Sequence, residues 1–579
     1  MPDNKEAYEL PLLGNKESYI ITPIFIANNQ SSGMQPMAAH ALNEYVANMG
    51  LEVVKRIRPS TETLGAMGVG AGVANETIVA KIEPERAEII RQTLPPNLVI
   101  SKDRILNYGD PVKPKITLTP LYATPNLVTR KFKFQIVGKN KEALDKITVQ
   151  LVGDGYPVDG VTNENGEIEL EIQTVSANLP RFLQLMAPHS YRDIYLSHPQ
   201  IEENKVNIIQ MQLINENPEQ NSLGWGQKLL GIDKLPKGID GKGVKIAIID
   251  SGCDNSHPLL QHIRYGRDFT ANTDPANWNQ DVIGHGTHCA GIIAARQIKE
   301  NGMRGFAPES EVHILRVFPG GAYSSLIDAI YYCIEQQIDV INMSLGGDSN
   351  IDVGIEQALT LAVQNGIACI VAAGNSGDSV KYPASSPQTL AVSAIGYTKE
   401  LQPNTWEYTT VQEGLVATDG VFSPNFTCFG PEIAVCAPGV DIISTVPGGH
   451  FELMSGTSMA APHITGIAAL LLAHHPVFQN EFKVRNVQRV KSLFDMIRTI
   501  CTPYPLGPIR VGAGLPKLDQ VITALQATLS PSRIGTAITA TPAGIPLTSI
   551  SNSLRPLGAL PGISYGWNIQ PTTNSNRFY

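Results

Sequence analysis

Val244-Lys245-Ile246-Ala247-Ile248-Ile249 is an apolar run of strand length, and Asp250-Ser251-Gly252 closes it with an acid and two turn formers. Three more runs of this kind follow, His313–Val317, Val340–Met343 and Ala368–Ala372. Apolar runs without polar alternation suit strands buried on both faces of a parallel sheet. Helical periodicity over Ser324–Gln337 and Ile355–Asn365 lies between them. The alternation predicts an α/β, doubly wound parallel sheet over residues 223–528. In such sheets ligands gather at the carboxyl ends of strands, so Asp250 is a candidate site residue. By itself it is weak, because an aspartate in that position is more often a turn former.

Upstream the pattern changes twice. Tyr19–Phe25 reads as a strand, Met37–Met49 as a helix, and Leu51–Ile57 and Thr77–Ile82 as strands. A helix from Pro84 to Leu94 and a strand Leu98–Leu106 complete a β-α-β-β-α-β plan, a ferredoxin-like α+β unit assigned to residues 1–108. The loop Gly68-Val69-Gly70-Ala71-Gly72 precedes a strand rather than opening a helix, which excludes a dinucleotide fingerprint. Residues 109–222 hold linkers and alternating strands, Phe132–Val137, Ile147–Val152, Glu167–Ile172 and Val206–Leu213, with an Asn165-Gly166 turn. A small immunoglobulin-like β-sandwich fits them. Residues 529–579 are rich in Ser, Thr, Pro and Gly, carry three arginines and no acid, and read as an extended or disordered low-complexity tail.

At 579 residues the chain is long enough for about three to four units. Its 42% hydrophobic and 17% charged residues mark a globular protein. A net charge of −9 with no basic stripe argues against nucleic acid. The apolar run Ile467–Ala473 is far short of the ~20 residues of a membrane span. The N-terminus lacks the basic start and apolar stretch of a secretory signal, which predicts a cytoplasmic protein. Seven cysteines without a Cys-x-x-Cys pair speak against zinc and for buried free thiols in a reducing compartment, so no metal ligands are assigned.

Two segments join Asp250. Gly284-His285-Gly286-Thr287-His288 opens a helix, and Gly456-Thr457-Ser458-Met459-Ala460-Ala461-Pro462-His463 opens the apolar helix that runs to Leu472. In the order Asp, His, Ser, the three resemble the subtilisin family of serine proteases, over about residues 223–525. Any one motif arises by chance; three in one order on these elements do so rarely. The resemblance implies a serine endopeptidase acting through an acyl-enzyme, with Asp250, His285 and Ser458 as its triad. The chemistry needs these types. A serine hydroxyl is a poor nucleophile until a base takes its proton, and an aspartate fixes the imidazole tautomer and steadies the imidazolium.

The resemblance further implies that Asn375 is the oxyanion-hole donor and that Ser344, Leu345 and Gly346 line the primary specificity pocket. Gly320 and Gly321 would form the opposing edge, between which a peptide adds as a strand. His288, His257 and His463 are expected to be structural. Lys381 is expected near the base of the pocket, favouring an acidic residue before the scissile bond. Cys289 and Met459 are expected to expose the site to mercurials and peroxide.

Departures count too. Where many members place a calcium-binding aspartate, nine residues after the triad aspartate, this chain has Leu259, and Arg296–Arg304 lacks the usual asparagines. No cofactor is needed for the chemistry, and structural Ca2+ is poorly supported. An insertion around Tyr397–Val421, carrying Trp406, is expected to shape substrate access. The N-terminal unit resembles the family propeptide, a folding template and product-like inhibitor whose end, Ile105-Leu106-Asn107-Tyr108, suits the cleft. The expectation is a zymogen cut close to Tyr108, with a peptide or protein substrate and its own N-terminal domain as partners. Two alternatives stand beside it: a dedicated processing protease, and a degenerate protease serving as a scaffold. The second is disfavoured because a scaffold has no physical need for all four of Asp250, His285, Asn375 and Ser458.

Overall fold

A computed structural model describes residues 15–24, 37–59, 73–108, 127–175, 180–187, 191–214, 223–270, 273–298, 302–347 and 351–527. The loop Gly68–Gly72, the linker 109–126 and the tail 529–579 lie outside them. All described residues belong to one compact unit.

The strand Lys245–Asp250 sits inside an eight-stranded sheet, between Glu311–Arg316 and Val340–Met343 and parallel to both. Tyr265–Asp268 extends the sheet on one side; Ala368–Ala372, Thr389–Tyr397 and Ile433–Pro438 extend it on the other, all in parallel. Only Val421–Phe422 runs antiparallel. Alternate side chains of one strand enter opposite cores, which is why the runs read as uniformly apolar. Ile246 and Ile248 join the core around the helices His285–Ala294 and Thr457–His474. Ala247 and Ile249 join the other, around Tyr323–Glu335 and Val353–Gln364. Helix Thr457–His474 is buried along nearly its whole length, the mark of a central helix rather than a surface one. Among the described residues no helix is long and apolar enough to cross a membrane.

The N-terminal residues form a four-stranded antiparallel sheet in the order Glu52–Ile57, Thr77–Ile82, Glu17–Pro23, Leu98–Lys102. Helices Ala39–Asn48 and Pro84–Thr93 share a core with Ile21, Ile78, Ala80 and Ile100 on one face. The other face packs in part on the α/β domain. Ile20, Ile57 and Val79 from it join the core of helices Tyr323–Glu335 and Val353–Gln364. Polar contacts reinforce this seam, with Lys55 paired to Asp328 at 2.6 Å and Gln357 Nε2 donating to Pro23 O at 3.0 Å.

One strand is shorter than expected. Leu98–Leu106 stops at Lys102; Asp103 N still donates to Ser18 O at 2.9 Å, but the Asp103 side chain turns to a helix of the α/β domain. Its carboxylate accepts the Ser324 N–H at 2.9 Å and the Ser324 hydroxyl at 2.7 Å, satisfying a donor in the first turn of helix Tyr323–Glu335.

Residues 127–213 form two sheets. One holds Ile194–Ser197, Phe182–Met186, Thr148–Val152 and Val158–Val161; the other holds Val206–Gln210, Leu127–Val137 and Glu167–Val175. Phe132, Phe134, Val149, Leu151, Ile172 and Leu185 fill the space between them. The pairing of Val206–Gln210 with Leu127–Val137 is parallel, so the unit is not a uniform antiparallel sandwich.

Candidate active site

Asp250 and His285 stand on different elements, a strand end and a helix start, 35 residues apart. His285 Nδ1 lies 2.8 Å from Asp250 Oδ1, and both side chains are fully buried. A second aspartate, which the sequence reading overlooked, builds the turn between them. Asp281 accepts the N–H of Gly284 at 2.8 Å, the N–H of Thr287 at 2.8 Å and the hydroxyl of Ser251 at 2.9 Å. The two N–H groups are donors that a helix start otherwise leaves unpaired. An aspartate shortly before a helix-opening Gly-His was the available signal. The helix must also come close. A Cβ on Gly286 would stand 2.1 Å from Gly252 O, so only glycine fits there.

Ser458 is the second residue of helix Thr457–His474. Four residues on is Pro462, which has no N–H to close the helical bond to the Ser458 carbonyl. That carbonyl is taken up sideways: Ser344 Oγ donates to it at 2.8 Å and Cys289 Sγ at 3.5 Å. Ser458 Oγ in turn reaches Ser344 O at 3.5 Å. Ser344 is fully buried and its side chain is spent on this lock, so its part in any pocket is through its backbone. Asn375 Oδ1 accepts the N–H and the hydroxyl of Thr457, both at 2.8 Å, which turns Nδ2 the other way. A Cβ on Gly456 would lie 3.0 Å from that nitrogen.

The cleft holds a segment of the chain itself. Tyr108 pairs with Leu345 and Asn107 with Gly346 as an antiparallel bridge. On the other edge Leu106 N donates to Gly321 O at 2.8 Å, and Ile105 pairs with Ala322, a residue the sequence reading missed. Gly320 sits one step outside this pairing, at φ +82° in open space. Leu106 is 2% exposed and shares a core with Phe318, Tyr323 and Leu345. The Tyr108 ring packs edge-on to Phe318 at 5.5 Å and to His285 at 5.8 Å.

The other histidines make backbone bonds. His288 Nε2 lies 3.0 Å from Ile442 O, and burial holds its pKa down at about 3. His257 Nε2 meets His450 O at 3.1 Å. His463 Nδ1 meets Met459 O at 2.7 Å, and burial lowers its pKa to about 4.

Two expectations need correction, and the insertion gains a partner. Lys381 carries no unbalanced charge for an acidic substrate residue, since its Nζ lies 2.8 Å from Asp378 Oδ1. That bond holds the Asp378 carboxyl down to about 2. The insertion around Trp406 is engaged by the sandwich, with Tyr195 N donating to Asn404 O at 2.7 Å. Cys289 is fully buried, and burial pushes its thiol well above the usual range, so it is neither an exposed nor a reactive thiolate.

Asp250, His285 and Cys289 are the one trio of potential metal donors that converge among the described residues. A protonated thiol makes that a poor metal cage. Leu259 is packed into the apolar core, so the family's calcium position lacks its carboxylate here and the residues do not fit that ion.

A doubly wound parallel sheet with a buried aspartate–histidine pair at a strand end and a serine opening its central helix has the parts of an α/β serine hydrolase. Residues 241–493 match the subtilase family. An intracellular serine protease of Paenibacillus polymyxa is 37% identical over 281 residues, covering 46% of this chain and 78% of that protein. The major intracellular serine protease of Bacillus subtilis (strain 168) is 36% identical with the same coverage, and a subtilisin of Bacillus pumilus is 39% identical over 42% of this chain and 82% of its own. The chain belongs to the subtilase family and is a subtilisin-like serine endopeptidase.

Proposed function

We propose that Ser458, His285, Asp250 and Asn375 carry out peptide hydrolysis through an acyl-enzyme. Ser458 Oγ bonds to the substrate carbonyl carbon while His285 takes its proton. Asp250, on the Nδ1 side, fixes the tautomer and stabilises the imidazolium. The carbonyl oxygen, now an anion, meets Asn375 Nδ2 and the amides opening helix Thr457–His474. Collapse breaks the C–N bond, His285 returns the proton to the leaving amine, and water cleaves the ester. The buried 2.8 Å contact between Asp250 and His285 is the observation that carries this reading. No cofactor enters it.

The ferredoxin-like unit 1–108 acts as an inhibitory propeptide, so the chain is made as a zymogen. The strand Asn107–Tyr108 in the cleft supports this. The pairing opposes Tyr108 to Leu345, the neighbour of Ser344, whose carbonyl Ser458 Oγ reaches. The expected self-cleavage is therefore close to Tyr108, which would leave the sandwich with the protease. A cytoplasmic location fits the relatives named intracellular, and a dedicated processing role would suit a protease kept inhibited there.

Mass spectrometry of the wild-type chain beside Ser458→Ala, with a fluorophosphonate probe, tests both parts. Label on Ser458 and a cut close to Tyr108 only in wild type is the expected pair of results. A wild-type protein that takes no label refutes the hydrolytic reading. Processing that persists in purified Ser458→Ala refutes self-cleavage alone.

A further inference from the structure

The β-sandwich touches the protease through a buried ion pair outside the family motifs. Arg192 Nη1 donates to both carboxylate oxygens of Asp441, at 2.8 and 2.6 Å, and Asp441 is almost wholly buried. Asp441 is held in a left-handed conformation, φ +56°, that residues other than glycine, asparagine and aspartate rarely adopt. Its N–H donates to Ser455 Oγ at 2.9 Å. Ser455 Oγ donates in turn to Glu407 Oε1 at 3.4 Å, on the insertion. Beside them Gly456 N donates to Gly439 O at 2.7 Å, and a Cβ on Gly439 would stand 2.8 Å from Gly456 O. Helix Thr457–His474 begins at the next residue.

We infer that Arg192 is a positioning residue for the reaction: by neutralising Asp441 beside Glu407 it fixes, through Ser455 and Gly456, the start of the helix that carries Ser458. This rests on the reading of Ser458 as nucleophile. The sandwich is then part of the working enzyme, holding the insertion and the 439–441 segment in one register.

Charge balance explains why an arginine is needed. Arg192 is the one cation lining a small cavity with Asp193, Glu407, Asp441 and Glu452 among the described residues. No trio of acids there converges closely enough to hold a metal ion. Burial, and then the charge of Asp441, raises the Glu407 carboxyl to about 7. Below that pH Glu407 is neutral; above it the acids around Arg192 gain one more negative charge. Removing Arg192 therefore harms the site least at low pH and most at high pH.

The test compares wild type, Arg192→Ala, Arg192→Lys and Arg192→Ala with Glu407→Gln, in the processed state that wild type reaches. Steady-state kinetics on a peptide are normalised to active sites titrated with a fluorophosphonate. For Arg192→Ala the expected result is a fall in kcat of about tenfold at pH 8.5 with KM changed less than about twofold. That loss should shrink toward pH 6, Lys should be intermediate, and Glu407→Gln should restore part of the rate at pH 8.5. Should Arg192→Ala not fold, Asp441→Asn, which tolerates the same backbone, is expected to show lowered kcat as well. A kcat per titrated site equal to wild type at all pH values, even with a lowered melting temperature, makes Arg192 a mere anchor and overturns the inference. A wild type that takes no label at Ser458 overturns the reading of the site instead.

Discussion

The ring of Tyr108 stands edge-on to the imidazole of His285, with centroids 5.8 Å apart. The end of the N-terminal unit thus covers the proposed base, and Leu106 two residues earlier fills an apolar site beneath Phe318 and Tyr323. Placing a carboxylate at that buried position, Leu106→Asp, costs several kcal/mol of the seal because the site offers no partner for it. Freshly purified full-length Leu106→Asp should cleave a small chromogenic peptide at least about tenfold faster than wild type at first. An unchanged initial rate would mean that this strand is not the inhibitory element.

Asn375 is anchored through its oxygen by Thr457, so its nitrogen is the end turned away from that anchor and proposed to meet the oxyanion. Asn375→Ala should lower kcat by about 10²–10³ with little change in KM, a magnitude measured in subtilisin itself. A rise in KM at constant kcat would assign Asn375 to substrate binding.

Pro462 leaves the Ser458 carbonyl without its helical partner, and Ser344 supplies a replacement. Ser344→Ala should destabilise the fold by about 1–3 kcal/mol in denaturant melts. Pro462→Ala added to it restores a backbone donor and should recover part of that loss, giving a non-zero coupling energy. Strict additivity would contradict the lock.

Asp103 docks the N-terminal unit onto helix Tyr323–Glu335, and burial raises its pKa above the ordinary carboxylate value. The docked form therefore favours the protonated acid. Docking should be tightest below the ordinary carboxylate range and weaken as pH rises through the raised one. Asp103→Asn keeps an acceptor for Ser324 and should flatten this dependence, read as the pH profile of release of the cleaved unit. A profile identical to wild type would discard Asp103 as its source.

Cys289 is fully buried and its thiol is held protonated. Mercurials should inactivate the enzyme only slowly, at a rate limited by local opening and abolished in Cys289→Ala. Rapid inactivation that Cys289→Ala does not prevent would point to another thiol.

The strands that bear on the site were legible because burial on both faces writes itself as unbroken apolar sequence. Val340–Met343 and Ala368–Ala372 match their observed bounds. Three sandwich strands escaped notice, Val158–Val161, Phe182–Met186 and Ile194–Ser197, being four or five residues long with weak alternation. Lys381 looked free because its partner Asp378, three residues away, is set by loop geometry rather than by a helical pattern.

The sequence alone determined the class, a serine endopeptidase, since the proposed Asp250, His285 and Ser458 each sit in a local motif whose residue types such a reaction requires. Only the tertiary structure decided what surrounds them. Asp281 behind the histidine, Ser344 on the serine carbonyl, Tyr108 over the imidazole and Arg192 on Asp441 are contacts across 30 to 249 residues of chain or between separate units. A motif records what a residue can do. Which distant side chain shares its space is settled by packing the whole sheet, and no local period encodes that.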